Sequence, residues 1–324
     1  MLLRKERAHM VQNKDQYLFI HKALDQWKTL GETIIPTDRF EEMYAYFQYG
    51  TNKQPSKIEL QFKCLRDISV EYSEDEKGLA LSEENRAKNR NYNILPRLMD
   101  RVYLTSLIPG KTDYINAIFL DGYQRPNAFI ATQTPLPQTR EEFWSMVVDY
   151  KCTTIVMLCA QQQLGSDEVY VPNDVSQSLQ FDQITVKVEN RLQECGIIIK
   201  DLNVIQQGKP HTVRHFSLAQ SLDSSNAAEI FVLLQSLVDR WQQQKGLGKV
   251  VVHCMDGAEW TGPFCAAIGI FDQINLEREV DVFELAQKLK TCRPNFFVNQ
   301  RQYQLLYEIA RHYLRQFQTY ANFL

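Results

Sequence analysis

The sequence predicts an α/β fold, a β-sheet core flanked by helices, on three observations. Three consecutive valines run from Val250 into His253, a short apolar stretch suited to a buried strand, and from Thr261 the chain becomes an apolar segment of helical length. Asp113 to Asp121 and Phe129 to Thr134 are two β-rich runs joined through Gly122-Tyr123, the pattern of a hairpin. Thr154 to Leu158 is a further buried-strand run, and it follows a helical stretch that starts at Glu142.

The remaining elements follow from the same periodicities. Thr37-Asp38-Arg39-Phe40 reads as a capped helix start, Glu59 to Ser69 as an amphipathic helix, and the charged stretch from Val70 to Glu84 as an exposed loop or frayed helix. Phe181 to Val188 alternates as a strand should, and Gly196 to Val204 reads as another, within a region from 161 to 212 that is otherwise less legible. Helices are expected over Glu229 to Gln243, Val280 to Leu289 and Gln300 to Phe317.

The chain has 324 residues, enough for one large domain with a segment left over. It is 44% hydrophobic and 23% charged with a net charge of −3, the composition of an ordinary globular protein. Near neutrality excludes a general attraction for nucleic acid or anionic membrane, so any anion recognition must be local. No run approaches the ~18 apolar residues of a membrane span, so direct membrane insertion of this segment is not expected. The first residues, Met1 to Arg7, lack the apolar core of a signal peptide. The cysteines at Cys64, Cys152, Cys159, Cys195, Cys254, Cys265 and Cys292 form no CxxC pair and no metal-ligand spacing, so neither metal nor other cofactor is expected. Cys152, Cys159 and Cys265 lie in apolar runs and read as buried thiols in a reducing compartment.

Between the valine strand and the apolar helix lies the loop Cys254-Met255-Asp256-Gly257-Ala258-Glu259-Trp260. A cysteine at a strand end, followed by amides that lead into a helix N-terminus, is a recipe for an anion cradle with a lowered thiol pKa. The loop resembles the signature of protein tyrosine phosphatases, His-Cys, five residues, then Arg-Thr-Gly or Arg-Ser-Gly. His253, Cys254, Gly257, Thr261 and Gly262 match in place, whereas Trp260 stands at the arginine and Glu259 at the usual glycine. An arginine presents a charged fork to phosphate oxygens, and an indole offers one uncharged donor. By analogy with other charge-stabilising groups in phosphoryl transfer, losing it costs roughly 10³ to 10⁵ in rate. Asp256 and Glu259 add negative charge that repels a phosphate dianion and raises the thiol pKa.

The resemblance extends well beyond the loop. Asp113-Tyr114-Ile115-Asn116-Ala117 and Phe129-Ile130-Ala131-Thr132-Gln133-Thr134-Pro135 are scaffold motifs of the family, and they imply its highly twisted mixed central sheet flanked by α-helices. Lys88-Asn89-Arg90 resembles the start of the phosphotyrosine recognition loop, where the family continues with a pocket-setting tyrosine and this chain has Asn91 followed by Tyr92. Arg90 paired inside the domain with Asn91 turning the chain is the preferred reading there. Counting from His215-Phe216 places Ser221-Leu222-Asp223 on the family's Trp-Pro-Asp, so Asp223 keeps the position of the general acid while its anchors are lost. Asp223 as a plain loop carboxylate stays an equal reading. Val298 stands where the family places the glutamine that handles the hydrolytic water.

The implied site is therefore Cys254 as a vestigial nucleophile, Asp223 as a vestigial acid and His253 beside them. Substrate contacts would fall on Asn91, Met255, Asp256, Gly257, Ala258, Glu259, Trp260 and Gln302, with Ser221, Leu222, Glu259, Trp260 and Val298 as the degenerate positions.

A constant shift along the chain places Gln16-Tyr17 on Gln302-Tyr303, Asn13 on Asn299, Arg7 on Arg293 and Leu3 on Leu289. Under the resemblance, residues 1–31 are expected to be the tail of a preceding phosphatase domain, 32–54 an inter-domain connector and 55–324 the phosphatase-like domain. Tyr320-Ala321-Asn322-Phe323 places the chain nearest the second domains of receptor-type phosphatases of the alpha and epsilon type. The implied function is a catalytically impaired module that regulates or binds proteins, its partner the preceding domain of the same receptor and then other signalling proteins, on the cytoplasmic side of a membrane anchored elsewhere. The alternative is a weak tyrosine phosphatase that works through a Cys254 phosphocysteine with Asp223 as acid. A redox-sensing Cys254 is a third reading, and a plain buried thiol behind Trp260 is preferred to it.

Overall fold

The valine run becomes an inner strand of a nine-stranded sheet in the computed structural model, which describes residues 7, 9–50, 54–69, 71–106, 108–222, 230, 232–238 and 248–321. The N-terminal part holds helix α1 (Lys14–Leu30), strand β1 (Ile35–Pro36) and helices α2 (Phe40–Gln48), α3 (Lys57–Asp67), α4 (Glu74–Leu81) and α5 (Glu83–Arg86). Strands β2 (Arg101–Tyr103), β3 (Tyr114–Leu120) and β4 (Phe129–Gln133) lead to helix α6 (Arg140–Asp149) and strand β5 (Thr154–Ala160). A meander follows, β6 (Ser178–Phe181), β7 (Ile184–Glu194), β8 (Ile197–Gln206) and β9 (Lys209–Leu218). After helical residues 232–238 (α7) come β10 (Val250–Cys254), α8 (Thr261–Glu277), β11 (Glu279–Val280), α9 (Val282–Cys292) and α10 (Gln300–Ala321).

The sheet runs β2-β3-β4-β10-β5-β9-β8-β7-β6. Its centre, β4-β10-β5-β9, is parallel, and both edges are antiparallel. Parallel strands are covered on both faces, which is why β10 and β5 read as unbroken apolar runs and are buried along their whole length. One face carries α8, α9 and α10 with α2 and α3, around Phe264, Phe271 and Tyr307; the other carries α6, around Phe143, Trp144 and Met146. Helix α8 lies against sheet and helices alike, so its residues from Thr261 to Phe271 are all buried. Close packing at its start needs a residue without Cβ, since a Cβ on Gly262 would stand 2.7 Å from the Phe296 ring.

The structure redraws two expectations. Residues 32–54, expected as a connector, contribute to the main core: Ile35, Phe40, Tyr44 and Phe47 are buried, and β1 pairs with β11. The domain's packing thus starts near Leu30. Thr37 opens a short 3-10 turn and α2 begins at Phe40 without a side-chain cap. The stretch Val70 to Glu84, expected as loop or frayed helix, holds α4, because Ser73 and Glu76 form a reciprocal capping box that satisfies two free N–H groups. In the region that was hard to read, β7, β8 and β9 form two hairpins whose turn pairs Cys195-Gly196 and Gln207-Gly208 all have positive φ, the geometry of tight primed turns.

Of the helix expected over Glu229 to Gln243, residues 230 and 232–238 are helical and the rest lie outside the described residues. Among the described residues no helix is long and apolar enough to cross a membrane, and no cluster of His, Cys, Asp and Glu could hold a metal.

Candidate functional site

Strand β10 ends at Cys254, and its register against β4 sets His253 beside Thr132 and Cys254 beside Gln133. Beneath the loop the ring of His253 is fully buried. Its Nδ1 lies 3.0 Å from the Thr134 hydroxyl and its Nε2 2.6 Å from the Tyr170 hydroxyl, which also lies 2.9 Å from Nε2 of His215. Burial, with a smaller push from Arg90, holds the His253 pKa down at about 3, so the imidazole is neutral. Thr134 also donates to the Cys254 carbonyl at 3.2 Å. The strand end is thus fixed by neutral hydrogen bonds.

Arg293 holds the loop from below. Its side chain is fully buried; Nη1 donates to the Gly257 carbonyl at 2.7 Å and Nη2 to Asn116 Oδ1 at 3.1 Å. Gly257 has φ +75°, and a Cβ there would stand 2.7 Å from the backbone of Thr132 and Gln133 and 2.8 Å from Arg293. Only glycine fits this turn without strain. Lys290 donates to the carbonyls of Pro294 and Phe296 and so orders the turn that carries Arg293.

The loop's own chemistry is different. Trp260 is 9% exposed and joins the core cluster that holds Phe264 and Phe296, so position 260 supplies apolar packing and no cation. The Cys254 sulfur is buried and accepts from the Thr261 hydroxyl at 3.2 Å. It also lies 3.2 Å from Asp256 Oδ1, to which the thiol donates. That same oxygen accepts from the amides of Ala258 at 2.9 Å and Glu259 at 3.0 Å. Burial first and the Asp256 charge second push the Cys254 pKa up to about 12, against the Thr261 and loop-amide hydrogen bonds that lower it. The thiol is the dominant form at neutral pH. Partial desolvation and Asp256 likewise raise the pKa of Glu259.

The other expected site residues separate into those at the loop and those away from it. Gln302 reaches it: Nε2 donates to the Glu259 carbonyl at 3.2 Å while Oε1 accepts from the Val298 amide, whose own side chain is exposed. Met255 packs against the α6 side of the sheet. Asn91 turns the chain, its Oδ1 accepting from the Asn93 amide at 2.9 Å, and the Tyr92 ring lies beneath the Arg86 guanidinium. Arg90 pairs with Glu168 at 2.9 Å and its amide donates to Gln133 Oε1, as expected for a residue held inside the domain. Ser221 is exposed and Leu222 packs partly against the main core; Asp223 lies outside the described residues.

Sequence reasoning missed Arg293, Asn116, Thr134 and Tyr170 as parts of the site. The stretch around Arg293, Lys290-Thr291-Cys292-Arg293-Pro294-Asn295, is polar and reads as an exposed turn, so the sequence offered no signal that this side chain is buried.

The family model described as protein-tyrosine phosphatase matches residues 85–312. The chain is 32% identical to human receptor-type tyrosine-protein phosphatase epsilon over 99% of its own length and 47% of that protein's. It is 33% identical to human receptor-type tyrosine-protein phosphatase F over 99% of this chain and 17% of the relative. With the chicken receptor-type tyrosine-protein phosphatase U it shares 30% over 97% and 22%. The chain spans less than half the length of these relatives. On these matches, and on the fold that carries them, the chain belongs to the protein-tyrosine phosphatase family.

Proposed function

We propose that this domain is a catalytically silent member of its family, acting as a regulatory or protein-interaction module within a receptor-type phosphatase. The observation that carries this reading is Trp260, an indole packed into the core where phosphate-ester hydrolysis needs a cationic fork. Neither a buried indole nor the carboxylates of Asp256 and Glu259 can stabilise charge on a transferring phosphoryl group. The changes at Asn91, Ser221, Leu222 and Val298 point the same way.

A preceding phosphatase domain of the same chain is the partner this reading favours, with the pair on the cytoplasmic side of a receptor. Helix α1 supports it through its correspondence with α10. In α10, Tyr303, Leu305, Leu306 and Tyr307 are buried. Their counterparts Tyr17, Phe19, Ile20 and His21 on α1 are exposed, as a helix would be whose core lies in another domain.

Hydrolysis of a phosphotyrosine peptide by the purified chain, beside Cys254→Ser, tests the silence. The expected result is no difference between the two. Turnover that Cys254→Ser abolishes would establish the weak phosphatase instead.

A further inference from the structure

The loop spends its donors on itself. Two consecutive amides, of Ala258 and Glu259, and the Cys254 thiol all converge on one oxygen of Asp256, at 2.9, 3.0 and 3.2 Å. We propose that the Asp256 carboxylate is a built-in occupant of the signature loop that, together with burial, keeps Cys254 protonated. The inference rests on the reading of the domain as silent, and it adds a second cause of silence to the loss of the arginine.

The argument is one of hydrogen-bond partners. A carboxylate has only acceptors, so its contact with sulfur exists as drawn only while the sulfur carries a proton. Ionising Cys254 would set two anions against each other at the contact distance, with the sulfur buried and the carboxylate half-buried, where charge is less screened than in water. A simple turn-forming aspartate would need only the amides. Here the same oxygen faces the sulfur as well.

Among the groups packed around Cys254, Asp256 is the charge in direct contact with the sulfur. Arg293, below the loop, gives Nη1 to the Gly257 carbonyl and Nη2 to Asn116, both neutral acceptors, and its charge, which acts on Asp256 and Cys254 alike, favours the thiolate. His253, on the same strand, is neutral between Thr134 and Tyr170. Cys265, on α8, is a buried thiol that burial keeps protonated. Glu259 is a second acid on the loop and adds to the same effect. Favouring the thiolate are the Thr261 hydroxyl and the amides of Trp260 and Thr261.

The test is a pH titration of thiolate absorbance at about 240 nm, the Cys254→Ser background subtracted in each case. It compares the natural chain with Asp256→Asn, which keeps an acceptor oxygen and removes the charge, and with Asp256→Ala. The expected result is a midpoint lower by about one pH unit or more in Asp256→Asn, roughly tenfold more thiolate at pH 8. An unchanged midpoint in a folded Asp256→Asn chain, judged by near-ultraviolet circular dichroism, overturns the proposal. Loss of the fold in both variants also overturns it, since Asp256 would then serve the fold and not the thiol. An unchanged midpoint leaves the silent reading standing, whereas turnover by the natural chain removes that reading whichever way the titration runs.

Discussion

His253 and Trp260 lie seven residues apart on one stretch of chain and have met opposite fates. Around His253 a neutral network of Thr134, Tyr170 and His215 closes every contact the strand end needs, and Arg293 supports the turn that follows. Around Trp260 the backbone keeps its turn, while the side chains supply an indole and two carboxylates where an oxyanion would require positive charge. The difference teaches that loop shape and loop chemistry are held by separate residues. Shape comes mainly from below, through groups buried in the fold, with Asp256 on the loop holding two of its amides; the charge of the site comes from side chains on the loop.

If that separation is right, substitutions that disturb the buried supports of the loop's turn cost stability and substitutions of its exposed side chains do not. The largest effect is expected for Arg293→Ala, which leaves the Gly257 carbonyl and Asn116 without donors and empties the volume of a large side chain. Loss of about 3 kcal/mol or more in urea unfolding is expected, and a loss under about 1 kcal/mol would mean that the loop is held some other way. Gly257→Ala comes next, at about 2 kcal/mol or more, because a Cβ at φ +75° meets the β4 backbone.

The pH dependence is smaller per unit and has a definite sign. His253 is neutral in the fold with its pKa lowered to about 3, and burial lowers His215 as well. Unfolded histidines near 6.5 bind protons that the folded ones refuse, so this contribution is full above about pH 6.5 and is lost as pH falls toward the folded values. The expected slope is about 1.4 kcal/mol per pH unit for each histidine. A flat stability profile between pH 6.5 and pH 5 would show that the network tolerates charge. The smallest effect belongs to Glu259→Gln, on the exposed side of the loop, which should change stability by no more than about 0.5 kcal/mol.

The fold was legible where one physical signal dominates. Unbroken apolar runs gave β5 and β10, the small and apolar residues after Thr261 gave α8, and the paired runs around Gly122 gave β3 and β4. Segments stabilised by local polar chemistry were harder. The Ser73 and Glu76 capping box hid inside a charged stretch, and β1 to α2 looked like polar connector because only every third or fourth residue, Phe40, Tyr44 and Phe47, turns inward. At the site, the residues on the loop could be named from their resemblance to the phosphatase signature. Those beneath it could not: Asn116, Thr134, Tyr170 and Arg293 come from a strand, a strand end, a loop and a turn, and only tertiary packing brings them together.

The central claim is that this loop has kept the shape of an anion cradle and lost the charge to fill it. Binding of tungstate, a phosphate-like oxyanion, measures that directly, by calorimetry on the natural chain and on the Asp256→Ala, Glu259→Gly, Trp260→Arg triple variant. The account predicts no saturable binding by the natural chain and binding by the triple variant that Arg293→Ala weakens. Saturable tungstate binding by the natural chain, as tight as that of the triple variant, would contradict it.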